Sequence, residues 1–278
     1  MTSIRTSRAV ITAANHERDG DCYTRSDERR LNAQQPGRTS TRIAMNRSTE
    51  LILDNPVWSA LTTKQAQLRE GNRLAFRYHP DIAPFAGVES EIEAAFRELG
   101  GLLPPPEQVA LLSLAPLPHL EAVRSERIGV VRQMVATGNP AGGTNDQVIR
   151  LTDLDAADML ALTQKTKPGP FGKRTHQMGH YIGIRHDGRL IAMAGERMRL
   201  DGYVEISAVC VDDEYRGRGL AARLMNILRR EIRQRGDIPF LHVFDDNHSA
   251  IALYERLGFE TRQTFHLNRI KGNDPAAA

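Results

Sequence analysis

Apolar residues recur along this chain at two spacings, every second residue and every third or fourth, and each switch between them marks a new element. Residues 203–211 alternate, which predicts Glu205, Ser207, Val209 and Val211 on one face of a strand and Val204, Ile206, Ala208 and Cys210 on the other. Directly afterwards Leu220, Leu224, Ile227, Leu228 and Ile232 share one face of a helix that Gly236 ends. Arg229, Arg230, Arg233 and Arg235 fall in its C-terminal half, where the helix dipole favours cations. Upstream, residues 181–185 and 190–198 read as strands joined at His186-Asp187-Gly188, and Asp-Gly between alternating runs predicts a tight hairpin. Downstream come a strand at 240–244, returning parallel to 203–211 through the helical crossover, a helix over 247–257 and a strand at 264–268. A strand at 148–151, a helix capped by Asp153 or Asp155, a loop over 167–172 and a short helix over 174–180 precede the hairpin.

The first half carries the same signals at lower density. Asn55-Pro56 opens a helix whose apolar positions include Trp58, Leu61 and Leu68, with Gly71 and Asn72 stopping it. Residues 74–78 alternate as a strand, a second helix follows Ser90, and residues 109–114 and 128–135 are further strands. The glycine-rich segment 138–145 is the best linker in the chain. The expected organisation is therefore a polar, disordered tail over 1–47, a small α+β domain over 48–138, a linker over 139–146, a larger α/β domain over 147–272 and a short tail over 273–278.

Composition narrows the function classes. With 37 Lys and Arg against 34 Asp and Glu the net charge is only +3, so neither a nucleic-acid nor a membrane partner is expected. Cys22 and Cys210 are too far apart to suggest a disulfide framework, and no apolar run has the length of a span or the form of a signal peptide. A cytoplasmic protein is expected. His79, Asp81 and His119 fit no ligand spacing, and no metal is expected.

The chemistry concentrates after the strand at 203–211. A charged turn with Gly217 and Gly219 leads into a helix start, whose unpaired amides and positive dipole end suit a phosphate; Arg216 and Arg218 add charge. Gly217-x-Gly219-x-x-Ala222 also satisfies the dinucleotide pattern, with Asp245 as the ribose acid. Five residues separate Val211 from Gly217, however, and the preceding strands form a hairpin and meander where a Rossmann half needs βαβ units, so this reading is the weaker.

Arg216-x-x-Gly219-x-Ala221, followed by Asn247, Ala250, Tyr254, Gly258 and Phe259, resembles the GNAT superfamily of N-acetyltransferases over about residues 147–269. The likeness implies a mixed, mostly antiparallel sheet with flanking helices, and acetyl-coenzyme A as cosubstrate. It implies that Val209, Cys210, Val211, Arg216, Gly217, Arg218, Gly219, Leu220, Ala221, Asn247 and Tyr254 hold that cosubstrate where the strands at 203–211 and 240–244 splay, and that the loop at 167–172 covers the acceptor, with Lys173, His176 and His180 nearby. Tyr254 is the candidate donor to the departing thiolate. Glu205 is the candidate base, on the ground that burial raises a carboxylate's pKa. Cys210 as an acetyl carrier is unattractive because alternation sets it opposite Glu205. The expected reaction is direct attack by a primary amine, small molecule or peptide, in a ternary complex. The alternative is a non-catalytic coenzyme A sensor, and the oligomeric state is left open.

Overall fold

The structure is a computed structural model that describes residues 47–140, 142 and 146–273; residues 1–46 of the expected N-terminal tail, half of the linker and residues 274–278 of the C-terminal tail lie outside them. The chain begins with α1 (Arg47–Asp54) and α2 (Pro56–Thr62), then a three-stranded antiparallel sheet of β1 (Arg69–Asn72), β2 (Ala75–Tyr78) and β3 (Ala86–Val88). After α3 (Glu93–Gly101) come β4 (Gln108–Ser113), β5 (Val123–Ala136) and β6 (Val148–Leu151), then α4 (Ala156–Thr166). The hairpin β7 (Tyr181–His186) and β8 (Arg189–Leu200), β9 (Tyr203–Val211), α5 (Leu220–Gln234), β10 (Ile238–Phe244), α6 (His248–Arg256) and β11 (Phe259–Gly272) complete it. The mixed, mostly antiparallel sheet with flanking helices is the predicted class. The dinucleotide reading fails on this topology, because β7, β8 and β9 are antiparallel neighbours.

The principal sheet has eight strands in the order β4-β11-β5-β10-β9-β8-β7-β6. β5 therefore lies between β10 and β11, pairing antiparallel with both. The boundary expected near residue 138 is crossed by this sheet: residues 108–136 belong to the same layer as β6 to β11. Linker composition marks where a chain is flexible, and it carries no information about which strands pair across it. Both β5 and β11 run well beyond the apolar stretches that predicted them, because Arg124, Ser125, Glu126 and Arg127 pair with β11 at the exposed end, where polar side chains suit the sheet.

Amphipathic α5 and α6 cover one face. Leu224, Ile227, Leu228 and Ile232 pack there with Val204, Ile206, Leu241 and Val243. On the other face, α1 and α2 cover Met198, Leu200, Tyr203 and Phe240, and α4 covers Tyr181, Met193 and Cys210. The helix predicted to reach Leu68 stops at Thr62, because Gln65 turns inward: its Nε2 donates to the Met178 and Arg197 carbonyls (2.9 and 2.8 Å) and its Oε1 accepts from the Tyr78 hydroxyl (2.6 Å). Two of the arginines at the end of α5 also tie it to the strand β5 and the segment after it. Arg229 is buried beneath Phe259 and donates to the Gly138 carbonyl (2.8 Å), and Arg233 donates to that of Ala136 (2.9 Å). Burial and the neighbouring Arg233 charge push the Arg229 guanidinium down to about 10.

Candidate acetyl-transfer site

β9 and β10 are parallel neighbours only as far as Phe240↔Glu205; from Ile206 and Leu241 onward neither has the other as ladder partner. The gap this leaves is the splay that the family resemblance implied. β9 also carries an extra residue. Its pairing with β8 steps from Gly195↔Ser207 to Met193↔Cys210, three residues against two, and Ala208 takes a φ of +52°. The bulge reverses the alternation: Val209 and Val211 join Val204 and Ile206 on the α5 side, while Ala208 and Cys210 fall on the α4 side. Cys210 is thus not on the face opposite Glu205, as strict alternation predicts. Its thiol is buried and pushed up to about 12, which leaves it a core residue.

The turn after β9 is anchored by buried Asp212, whose carboxylate accepts from Lys165 (2.8 Å) and Arg189 (3.2 Å) and caps the Glu214 amide (3.3 Å). The bond from Lys165 chiefly holds the Asp212 carboxyl below its usual range. Gly217 and Gly219 have φ of +76° and +74°, and nothing lies within 4 Å of where a Cβ would stand on either. The glycines serve the backbone path, and the space over them is open to a ligand. The first α5-proximal amide with an acceptor is that of Arg223, on the Gly219 carbonyl (3.0 Å), so the amides at the helix start are available to an anion. Arg216 pairs with Asp213 (2.7 Å), and Arg218 lies over the Tyr215 ring (4.9 Å).

Tyr254 in α6 is half-buried with Val209, Val211, Leu220 and Ala250 against the α5-side core, its ring edge-on to Phe259. Burial pushes its phenol up to about 12. Asn247 caps α6, its Oδ1 accepting from the Ala250 amide (3.2 Å).

On the opposite face the gap opens into a cleft of about 780 Å³. Its walls come from Pro84 and Phe85, β4, the middle of β5, the Pro168-Gly169-Pro170 loop and the end of β10, and its lining includes Arg197, Ser207, His242 and Asn247. Pro168, Gly169 and Pro170 of the loop at 167–172 line the cleft, whereas Lys173, His176 and His180 do not. His176 pairs with Asp153 (3.1 Å), and His180 Nδ1 accepts from Arg150 (3.1 Å) and Arg235 (3.3 Å).

Glu205 differs most from expectation. It is fully buried and makes two bonds to Arg197, Nε to Oε2 (2.7 Å) and Nη2 to Oε1 (2.6 Å), plus one to His242 Nδ1 (2.8 Å). Burial raises its pKa, but the Arg197 charge and hydrogen bonds, with His242, outweigh burial and hold it at about 2. The predicted rise is a fall. Arg197 and His242, which give the cleft floor its chemistry, drew no attention in the sequence, because neither belongs to a motif.

Comparison with known proteins agrees with this geometry. The family profile described as "FR47-like protein" matches residues 181–267. The [ribosomal protein bS18]-alanine N-acetyltransferase of Salmonella typhimurium is 32% identical over 118 residues, 40% of this chain and 78% of that protein. A crystal structure of a GNAT-family acetyltransferase from Novosphingobium aromaticivorans is 36% identical, with a TM-score of 0.74, covering 80% of this chain and 99% of that one. The chain belongs to the GNAT family. It is an acetyltransferase, and enzymes of this family use acetyl-coenzyme A. The N-alpha-acetyltransferase RimI of Mycobacterium tuberculosis is 38% identical over 86 residues, and the match spans 52% of that relative's length. These GNAT matches weigh against the sensor reading.

Proposed function

We propose that this GNAT acetyltransferase moves the acetyl group from acetyl-coenzyme A to a primary amine by direct attack in a ternary complex. The observation that carries the reading is the gap between β9 and β10, which joins the glycine turn and Tyr254 on one face to the cleft on the other. Acetyl-coenzyme A supplies an activated thioester. The Gly217–Gly219 turn and the α5 amides would hold its pyrophosphate, and the unpaired edges of β9 and β10 around Val209, Cys210 and Val211 its pantetheine arm. Tyr254, with its pKa near 12, stays protonated at neutral pH and donates a hydrogen bond to the departing sulfur.

The amine attacks the acetyl carbon, the carbon–sulfur bond breaks, and the ammonium proton goes to water. Glu205 is a poor base for that proton, since a carboxylate of pKa about 2 captures protons weakly. The acceptor amine therefore enters the reaction as the free base, and kcat/KM rises with pH along the acceptor's own titration. The names of the relatives favour an amine at a protein N-terminus.

The test is thermal. Coenzyme A at a hundredfold excess over its Kd should stabilise the protein by about 2.7 kcal/mol, a Tm rise of roughly 5–10 °C. NAD and ATP, lacking the pantetheine arm, should give much less. A response to NAD without one to coenzyme A would overturn the reading. Tyr254→Phe should keep the coenzyme A shift and lose about tenfold or more in kcat.

A further inference from the structure

Arg197 is bound on two sides and free on a third. Its Nε and Nη2 are spent on Glu205, and its guanidinium carbon lies 4.7 Å from the centre of the Phe85 ring. Among the described residues its Nη1 has no partner, while the residue lines the cleft with Phe85 beside it. The position is informative, because Glu205 is the last residue of β9 paired with β10, so the Arg197–Glu205 pair sits at the apex of the gap.

The clamp behind Arg197 is a chain of hydrogen bonds. Asp54 accepts from Arg262 Nη2 (2.7 Å), and Arg262 Nη1 donates to Gln133 Oε1 (3.0 Å). With its oxygen taken, and its nitrogen also on the Leu53 carbonyl (2.9 Å), Gln133 presents Nε2 as the donor to His242 Nε2 (3.2 Å). That imidazole nitrogen then carries a lone pair, and the proton is on Nδ1, donated to Glu205. Glu205 cancels Arg197, so that pair carries no net charge. Both His242 nitrogens are occupied, so the ring is a support and not a base.

We infer that Arg197 orients the acceptor, its Nη1 donating to a neutral carbonyl oxygen next to the amine, which makes an α-amino amide the preferred acceptor class. A carboxylate gains little from an arginine already neutralised, and Asp246 in the cleft lining disfavours a second negative charge. A bare alkylamine offers Nη1 no acceptor. The inference rests on the cleft being the acceptor site.

The experiment compares glycinamide, ethylamine and glycine, both as acceptors with acetyl-coenzyme A and as ligands of the coenzyme A complex by calorimetry. Wild type should show a KM and a Kd for glycinamide about fivefold lower than for ethylamine, the factor expected of one ordinary hydrogen bond. Glycine should bind no better than ethylamine. Arg197→Lys should erase the preference through KM and Kd. Because removing Arg197 alone strands a buried carboxylate, the paired variant Arg197→Met with Glu205→Gln is the second arm, and it too should bind the two amines equally. Equal affinities in wild type, tighter binding of glycine, or a preference that survives both variants would overturn the inference. The coenzyme A shift, read in the same samples, tests the underlying cofactor reading separately: its loss condemns that reading, whereas its presence without a glycinamide preference condemns only the role of Arg197.

Discussion

At the scale of the residue, Glu205 shows how a partner outweighs burial. Its carboxyl lies at about 2 in the folded protein against 4.5 for an ordinary glutamate, so the folded state binds the proton less readily than the unfolded chain. The contribution is complete above about pH 4.5 and is lost as the pH falls toward 2, where the unfolded chain is protonated first. A shift of this size corresponds to about 3 kcal/mol. Denaturant unfolding of wild type at pH 6 and pH 3 should show a loss of about 2 kcal/mol from this group, the part of the shift titrated by pH 3, beyond the loss shown by the paired Arg197→Met, Glu205→Gln variant, which has no proton to gain. Parallel losses in the two proteins would mean that the buried pair is not linked to stability. The sequence made the burial of Glu205 legible by strand alternation, but its sign of pKa shift depended on Arg197 and His242, eight and thirty-seven residues away. Strand periodicity holds no record of such cross-strand partners.

At the scale of the element, the glycine turn and α5 were readable because each rests on local chemistry: φ above zero at Gly217 and Gly219, then an apolar stripe at helical spacing. The bulge in β9 was not readable. Ala208 is an ordinary strand residue by composition, and the extra residue exists only relative to β8, so faces assigned by alternation invert beyond Ser207. The turn gives a sharp test because its surroundings are open. Gly219→Val meets no neighbour, so its cost is the left-handed backbone itself, about 1–2 kcal/mol. Gly202 has the same freedom in the β8–β9 turn, with φ of +78° and open space, so Gly202→Val should destabilise the protein comparably. Only the Gly219 variant should lose its coenzyme A shift in the thermal assay. If both variants keep the shift, or both lose it, the turn is not the pyrophosphate site.

For the whole molecule the deciding feature is β5. The chain from residue 147 onward contains the glycine turn, Tyr254 and the matched profile, and by sequence it looks self-sufficient. Its sheet is not. β5 arrives from before the linker and fills the position between β10 and β11, contributing Val131, Met134 and Ala136 to the buried core and pairing with β11 from Val123 to Ala136. Without it β10 and β11 would each present a long unpaired edge, and Phe259, Phe265 and Val243 would lose a flank of their packing. Burial of those side chains is worth about 1.5–3 kcal/mol each, comparable in sum with the total stability of an ordinary domain. The same strand lines the cleft through Ile128 to Val131, so its loss would also open the acceptor side. A fragment of residues 147–278 should therefore aggregate or unfold without a cooperative transition and give no coenzyme A shift. Adding residues 108–138, as a longer chain beginning at 108, should restore the sheet, and residues 47–107 should then matter chiefly through Pro84, Phe85 and the α1–α2 cover over Tyr203 and Phe240. Cooperative unfolding of the 147–278 fragment, with a coenzyme A shift like that of the full chain, would show that β10 and β11 close on each other directly and that β5 is dispensable to the fold.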